Sequence, residues 1–210
     1  MGNLSSRINK LNEHELMIHI ENNPDHIKYV KNTSEAVQLI AVKNGQFALS
    51  GIKNPSEAVQ MAVVERNAYA IGIIENPSEA VQLAAVNKNY RSLCFITNPT
   101  EAVQFNAVNQ NSDMIYLVEN PSEALQLAAV NKNGVSIIFI RNPTEAVKLA
   151  AINQNPRSVL YIRNPSKALV DIAIEKDPQI EYLPTLTNDE KLENRILMNP
   201  LDRLLLRLFN

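Results

Sequence analysis

The chain carries three histidines and one cysteine, and two of the histidines fall close together in His14-Glu15-Leu16-Met17-Ile18-His19. A zinc-hydrolase helix needs its histidines four residues apart on one face, with a glutamate between them as base. His14 and His19 are five apart, about 140° around a helix of 3.6 residues per turn. The segment therefore reads as an exposed N-terminal stretch. Cys94 has no base near it in sequence, and the five glycines form neither a phosphate loop nor a G-x-S-x-G elbow. No catalytic group, cofactor or metal ligand set is expected, so the chain reads as a non-enzyme.

Other chemically able residues recur in register. Glu35, Glu57, Glu79, Glu101, Glu123 and Glu145 could form an acidic ladder imitating a phosphate backbone, but a carboxylate at N3 of a helix is favoured by capping and by the helix dipole. Gln38, Gln60, Gln82, Gln104 and Gln126 give way to Lys148 and Val170, so that position does not demand an amide. Arg66, Lys88, Lys132 and Lys176 alternate with Gln110 and Gln154 and could track a polyanion, although cations at helix C-termini are favoured in any case.

The elements that hold these residues follow from the spacing. N-P-[ST]-E-A begins at Asn54, Asn76, Asn98, Asn120 and Asn142, 22 residues apart; Asn32 opens a copy with Thr33 in place of proline, and Asn164 one with Lys167 in place of glutamate. A degenerate copy runs from Lys10 to Lys31. The expected organisation is an N-terminal segment (1–9), a degenerate repeat (10–31), seven repeats (32–185) and a C-terminal helical cap or dimerisation segment (186–210). Each unit reads as two helices: Asn at its first position as N-cap, Pro at N1, Glu at N3, then a helix of about a dozen residues. A second asparagine, as at Asn67 or Asn89, starts a helix of about seven. The fold class is all-α, an α-solenoid of about eight two-helix units. The alternative is a βα leucine-rich-repeat-like horseshoe, since segments such as Ser136-Ile137-Ile138-Phe139-Ile140 suit a strand. The apolar eighteenth and twenty-first positions, three apart from Ile27 and Val30 to Val159 and Ile162, favour the helix.

The stretch Glu123 to Gly134, E-A-L-Q-L-A-A-V-N-K-N-G, resembles an uncharacterised family of helical repeats in bacteria and large DNA viruses whose units read V-x-x-A-V-x-x-N-G-x-x-L. The chain departs from that pattern in its tighter spacing and its N-P-[ST]-E entrance. The resemblance implies helical repeats and a viral or phage protein that occupies a host factor. It carries over no functional residue.

If the repeating residues are scaffold, recognition belongs to those that vary between units: Tyr69, Glu75, Tyr90, Arg91, Asp113, Tyr116, Glu119, Arg141, Arg157 and Arg163. A protein partner is expected, with nucleic acid as the alternative. Leu201, Leu204, Leu205, Leu208 and Phe209 lie on a final apolar segment that either caps the array or makes a homodimer contact. A net charge of −2 favours no polyanion. The single cysteine, the lack of a long apolar run and the lack of a signal sequence suggest a soluble cytoplasmic protein without membrane association. Met1-Gly2-Asn3-Leu4-Ser5-Ser6 fits a myristoylation pattern.

Overall fold

The computed structural model describes residues 4–45 and 48–182. The protein is an all-α solenoid of repeats, and among the described residues there is no strand, which removes the horseshoe alternative. The α-helices are α1 (Leu4–Ile8), α2 (Glu13–Asn22), α3 (Glu35–Asn44), α4 (Glu57–Arg66), α5 (Glu79–Lys88), α6 (Glu101–Gln110), α7 (Glu123–Lys132), α8 (Glu145–Gln154) and α9 (Lys167–Lys176). From α3 onward each begins 22 residues after the one before. Behind each of α2 to α9 comes a short 3-10 helix: Pro24–Tyr29, Ala48–Gly51, Ala68–Ile73, Tyr90–Phe95, Ser112–Leu117, Gly134–Phe139, Pro156–Tyr161 and Pro178–Tyr182. Gly2 and the C-terminal leucines Leu201, Leu204, Leu205 and Leu208, with Phe209, lie outside the described residues.

Contacts divide the chain into two units, residues 1–103 and 104–210. Within the first, α3 packs on α2 and α4, α4 on α5, and the 3-10 helices pack on one another and on the α-helices. Within the second, α7 packs on α8 and α8 on α9, again with 3-10 helices stacked alongside. The same repeat positions fill both cores. Val59, Val81, Val147 and Leu125 at the sixth position are wholly buried, as are Ala85, Ala129 and Ala151 at the tenth. From the 3-10 helices come Ile71, Leu93, Ile137 and Val159, all at the eighteenth position. Each buried branched side chain contributes about 1.5–3 kcal/mol. That matters because ten-residue and six-residue helices are marginal without neighbours.

The expected entrance cap is corrected. The N-cap is the Ser or Thr at the third position: the Ser78 hydroxyl accepts from the Val81 amide, and Ser34, Ser56, Thr100, Ser122, Thr144 and Ser166 do the same at their helices. Glutamate therefore sits at N1, where it still meets the positive end of the dipole. The asparagine instead turns the chain: Asn54, Asn76, Asn98 and Asn164 have φ of 48°, 49°, 54° and 48°. Asparagine is one of the few non-glycine residues found readily in that left-handed region. A full capping box occurs on α2, where the Asn12 side chain accepts from Glu15 N and Glu15 Oε2 accepts from Asn12 N.

The second helix is 3-10, not a seven-residue α-helix. Its bonds run from residue i+3 to i, as in Ser92 N to Asn89 O (2.9 Å) and Ile96 N to Leu93 O (3.2 Å). Three residues per turn bring the eighteenth and twenty-first positions onto one inward face. The expected capping asparagine is present: Asn67, Asn89, Asn111, Asn133 and Asn155 accept through their side chains from the amide two residues on.

These caps make opposite demands on two neighbouring residues. Ser78→Ala is expected to cost about 1 kcal/mol in urea unfolding. Asn76→Gly should be close to neutral while Asn76→Ala costs about 1 kcal/mol, because only the alanine is strained at positive φ. Equal effects of Gly and Ala at position 76 would contradict this assignment.

Candidate functional site

A 3-10 helix that turns its eighteenth and twenty-first positions inward presents the sixteenth, nineteenth, twentieth and twenty-second elsewhere. In the third and fourth repeats, among charged residues such as Glu75 and Arg91, this outer layer carries exposed large apolar side chains. Ile73 is 65% exposed, Phe95 45% and Tyr69 38%. The Tyr69 and Phe95 rings meet edge-on with centroids 5.5 Å apart, and the Tyr69 hydroxyl accepts from Asn89 Nδ2 at 2.8 Å. Gly72 lies against Phe95: a Cβ there would stand 3.1 Å from Phe95 Cβ, so its absence lets the ring settle close to the backbone. The patch is thus fixed by contacts between successive repeats.

The second unit uses the same positions differently. The Tyr116 and Phe139 rings lie 5.8 Å apart and both are half-buried. Asp113 Oδ1 accepts from Ser136 Oγ at 3.0 Å. Arg157 Nε donates to Asp177 Oδ2 and its Nη2 to Gln179 Oε1, each at 2.9 Å. The Arg157 hydrogen bond, reinforced by the Gln179 amide and by the arginine's charge, holds the Asp177 carboxyl below its ordinary 3.8.

Of the variable residues picked out by sequence, Tyr69, Asp113, Tyr116 and Arg157 therefore reach the following repeat. The Arg91 guanidinium lies 5.7 Å from the centre of the neighbouring Tyr90 ring. Glu75, Glu119, Arg141 and Arg163 are exposed at the ends of their 3-10 helices. Sequence reasoning missed Ile73 and Phe95. The available signal was the twentieth position, where, Gly51 excepted, Tyr29, Ile73, Phe95, Leu117, Phe139 and Tyr161 are large and largely apolar although the inward face is already complete.

The repeating polar residues are largely structural. Gln60, Gln82 and Gln126 donate through Nε2 to the carbonyls of Pro55, Pro77 and Pro121, at 3.0, 3.1 and 3.0 Å, tying each helix to its own corner. Glu35 and Glu123 accept from the hydroxyls of Ser56 and Thr144, the N-caps of the next helices. Arg66 Nη1 donates to the Val42 carbonyl at 3.0 Å, closing the end of α3. Lys148 pairs with Glu145 and Lys167 with Asp171. Among the described residues, no three or more His, Cys, Asp or Glu are grouped to hold a metal ion. Compared with family models, curated proteins and solved structures, the chain matches none.

The Arg157–Asp177 contact has a readable pH signature. A lowered folded-state pKa contributes stability that is present above the unfolded value near 3.8 and is lost as pH falls through the folded value. Arg157→Gln is expected to raise the Asp177 pKa towards 3.8, followed by the carboxyl carbon shift in an NMR titration. An unchanged titration would show that the pair does not form in solution.

Proposed function

We propose that this protein is a non-enzymatic repeat scaffold whose partner is another protein. The observation that carries the reading is the exposed Tyr69 and Phe95 pair, held by contacts between repeats rather than left on a loop, with the exposed Ile73 on the same 3-10 helix as Tyr69. Contiguous exposed apolar groups mark interaction surfaces, and aromatic side chains are enriched at the centres of protein interfaces. The charged residues Glu75, Glu119, Arg141 and Arg163 would add specificity around apolar anchors, because rim charges of both signs select a matching protein surface better than a polyanion.

The resemblance of Glu123 to Gly134 to bacterial and viral helical repeats adds a concrete version: a viral or phage protein that occupies a host factor in the cytoplasm. Among the described residues no helix is long and apolar enough to cross a membrane. Nucleic acid is the second reading. Lys88 and Lys132 at the ends of α5 and α7 favour it, but Arg66, Lys148, Arg157 and Lys167 already have protein partners.

The test compares wild type with Ile73→Asp/Phe95→Asp in capture from a host lysate, after circular dichroism shows equal helicity. The double variant is expected to lose the captured protein, with affinity at least about tenfold weaker once that protein is purified. Arg141→Glu/Arg163→Glu should weaken it less, and more so at low salt. Unchanged capture by both variants, with duplex or single-strand binding that falls steeply as salt rises, would favour nucleic acid instead.

A further inference from the structure

The first repeat departs from the rest at two positions together. Its tenth position is His19, where every later repeat has alanine or valine, from Ala41 to Ala173. Its seventeenth is His26, where most have alanine or serine, as at Ala48, Ala70 and Ser92. These positions meet across the α-helix and its 3-10 helix: inside the array, Ser92 Oγ reaches the Ala85 carbonyl at 3.1 Å. In the first repeat the same juncture brings two imidazoles together.

His19 Nε2 and His26 Nδ1 lie 3.1 Å apart, with ring centres 5.3 Å apart and planes inclined by 26°, so the rings meet nitrogen to nitrogen. Both side chains are half-buried. The backbone on either side is pinned by one residue. Asn23 donates to the His19 carbonyl from its amide (2.9 Å) and from Nδ2 (3.2 Å), and the His26 amide donates to the Asn23 carbonyl (3.0 Å). Tyr29 meets the His26 ring edge-on at 5.9 Å. The pair is therefore preorganised, on elements whose relative position the Asn23-Pro24 corner sets.

We propose that His19 and His26 form a two-imidazole binding site for a divalent transition cation such as Zn2+ or Cu2+, with water in the remaining positions. Neutral imidazole is the preferred ligand class for these ions. Zn–N bonds of about 2.0–2.1 Å place two ligands of a tetrahedral ion about 3.3 Å apart, close to the separation already present. In the free protein one of the facing nitrogens donates to the other; binding an ion moves that proton to the nitrogen turned away, so that Nδ1 of His19 and Nε2 of His26 carry the protons and both facing lone pairs meet the ion. His14 takes no part, since it lies on another face of α2. With two protein ligands the site is open, suited to reversible binding rather than to holding the fold.

The experiment titrates Zn2+ into the full-length protein at about pH 7.5, where histidine is largely neutral, and follows heat. One site is expected. His19→Ala and His26→Ala should each weaken it at least about tenfold, and His14→Ala should change it less than about twofold. To separate a lost ligand from a lost fold, wild-type protein is also treated with diethylpyrocarbonate with and without Zn2+, and modified residues are mapped by mass. Protection of His19 and His26 while His14 still reacts supports the site. Equal reaction of all three histidines with and without Zn2+, or an affinity lowered as much by His14→Ala, overturns it.

Discussion

Five successive inner repeats end one helix and begin the next with no loop between them, and a single asparagine, Asn67, Asn89, Asn111, Asn133 or Asn155, does both. The Asn67 amide donates to the Val63 carbonyl to close α4, while its side chain accepts from Tyr69 N to open the 3-10 helix. Because both bonds belong to one residue, the turn angle at the corner varies little, with φ between −141° and −156° and ψ between 106° and 113°. That angle places the buried alanine or valine at the tenth position beneath the following 3-10 helix, and the rest of the unit is arranged around this approach. Asp177 can replace asparagine because it too offers a side-chain oxygen, here accepting from Gln179 N.

The other corner works by division of labour. At Asn54, Asn76, Asn98 and Asn164 asparagine supplies the left-handed turn, proline follows it, and the Ser or Thr hydroxyl accepts from an amide of the first helix. The same hydroxyl also donates to the preceding repeat's glutamate at Ser56 and Thr144, so the cap links repeats as well as starting helices. The sequence made the period, the two-helix unit and the second cap legible, since they rest on spacing and on one residue type. It did not separate Asn from Ser as the first cap. Both are strong N-cap residues, and an Asn-Pro-Ser run satisfies either register until φ is known. Nor did it separate 3-10 from α, because two apolar positions three apart suit both helices.

The surface was only partly legible for a related reason. By sequence alone, variation between repeats marks residues the scaffold leaves free. In a stacked array, however, a residue can vary in one repeat because its neighbour varies with it. Arg157 faces Asp177 and Gln179, and Asp113 faces Ser136, so their variety records local matching between adjacent repeats. Ile73 and Phe95 belong to the opposite case. They share a residue class with their equivalents yet lie largely outside the core, which is costly for a surface that stays wet and understandable for one that is covered.

The same reasoning explains why the first repeat is where unusual chemistry can be tolerated. Inside the array the tenth position is squeezed between neighbours, and only a side chain as small as alanine or valine fits. In the first repeat α2 packs on α3 and on its own 3-10 helix, while the five-residue α1 lies against that 3-10 helix. There the juncture of α-helix and 3-10 helix can hold two imidazoles, half-buried and sharing a hydrogen bond, without leaving a buried polar group unpaired. The Asn23 corner that brings these rings together is built from the same residue type as the inner corners. What distinguishes the first repeat is thus two side chains at a corner that keeps the two backbone bonds of the inner corners while the Asn23 side chain turns back to the His19 carbonyl instead of capping the 3-10 helix.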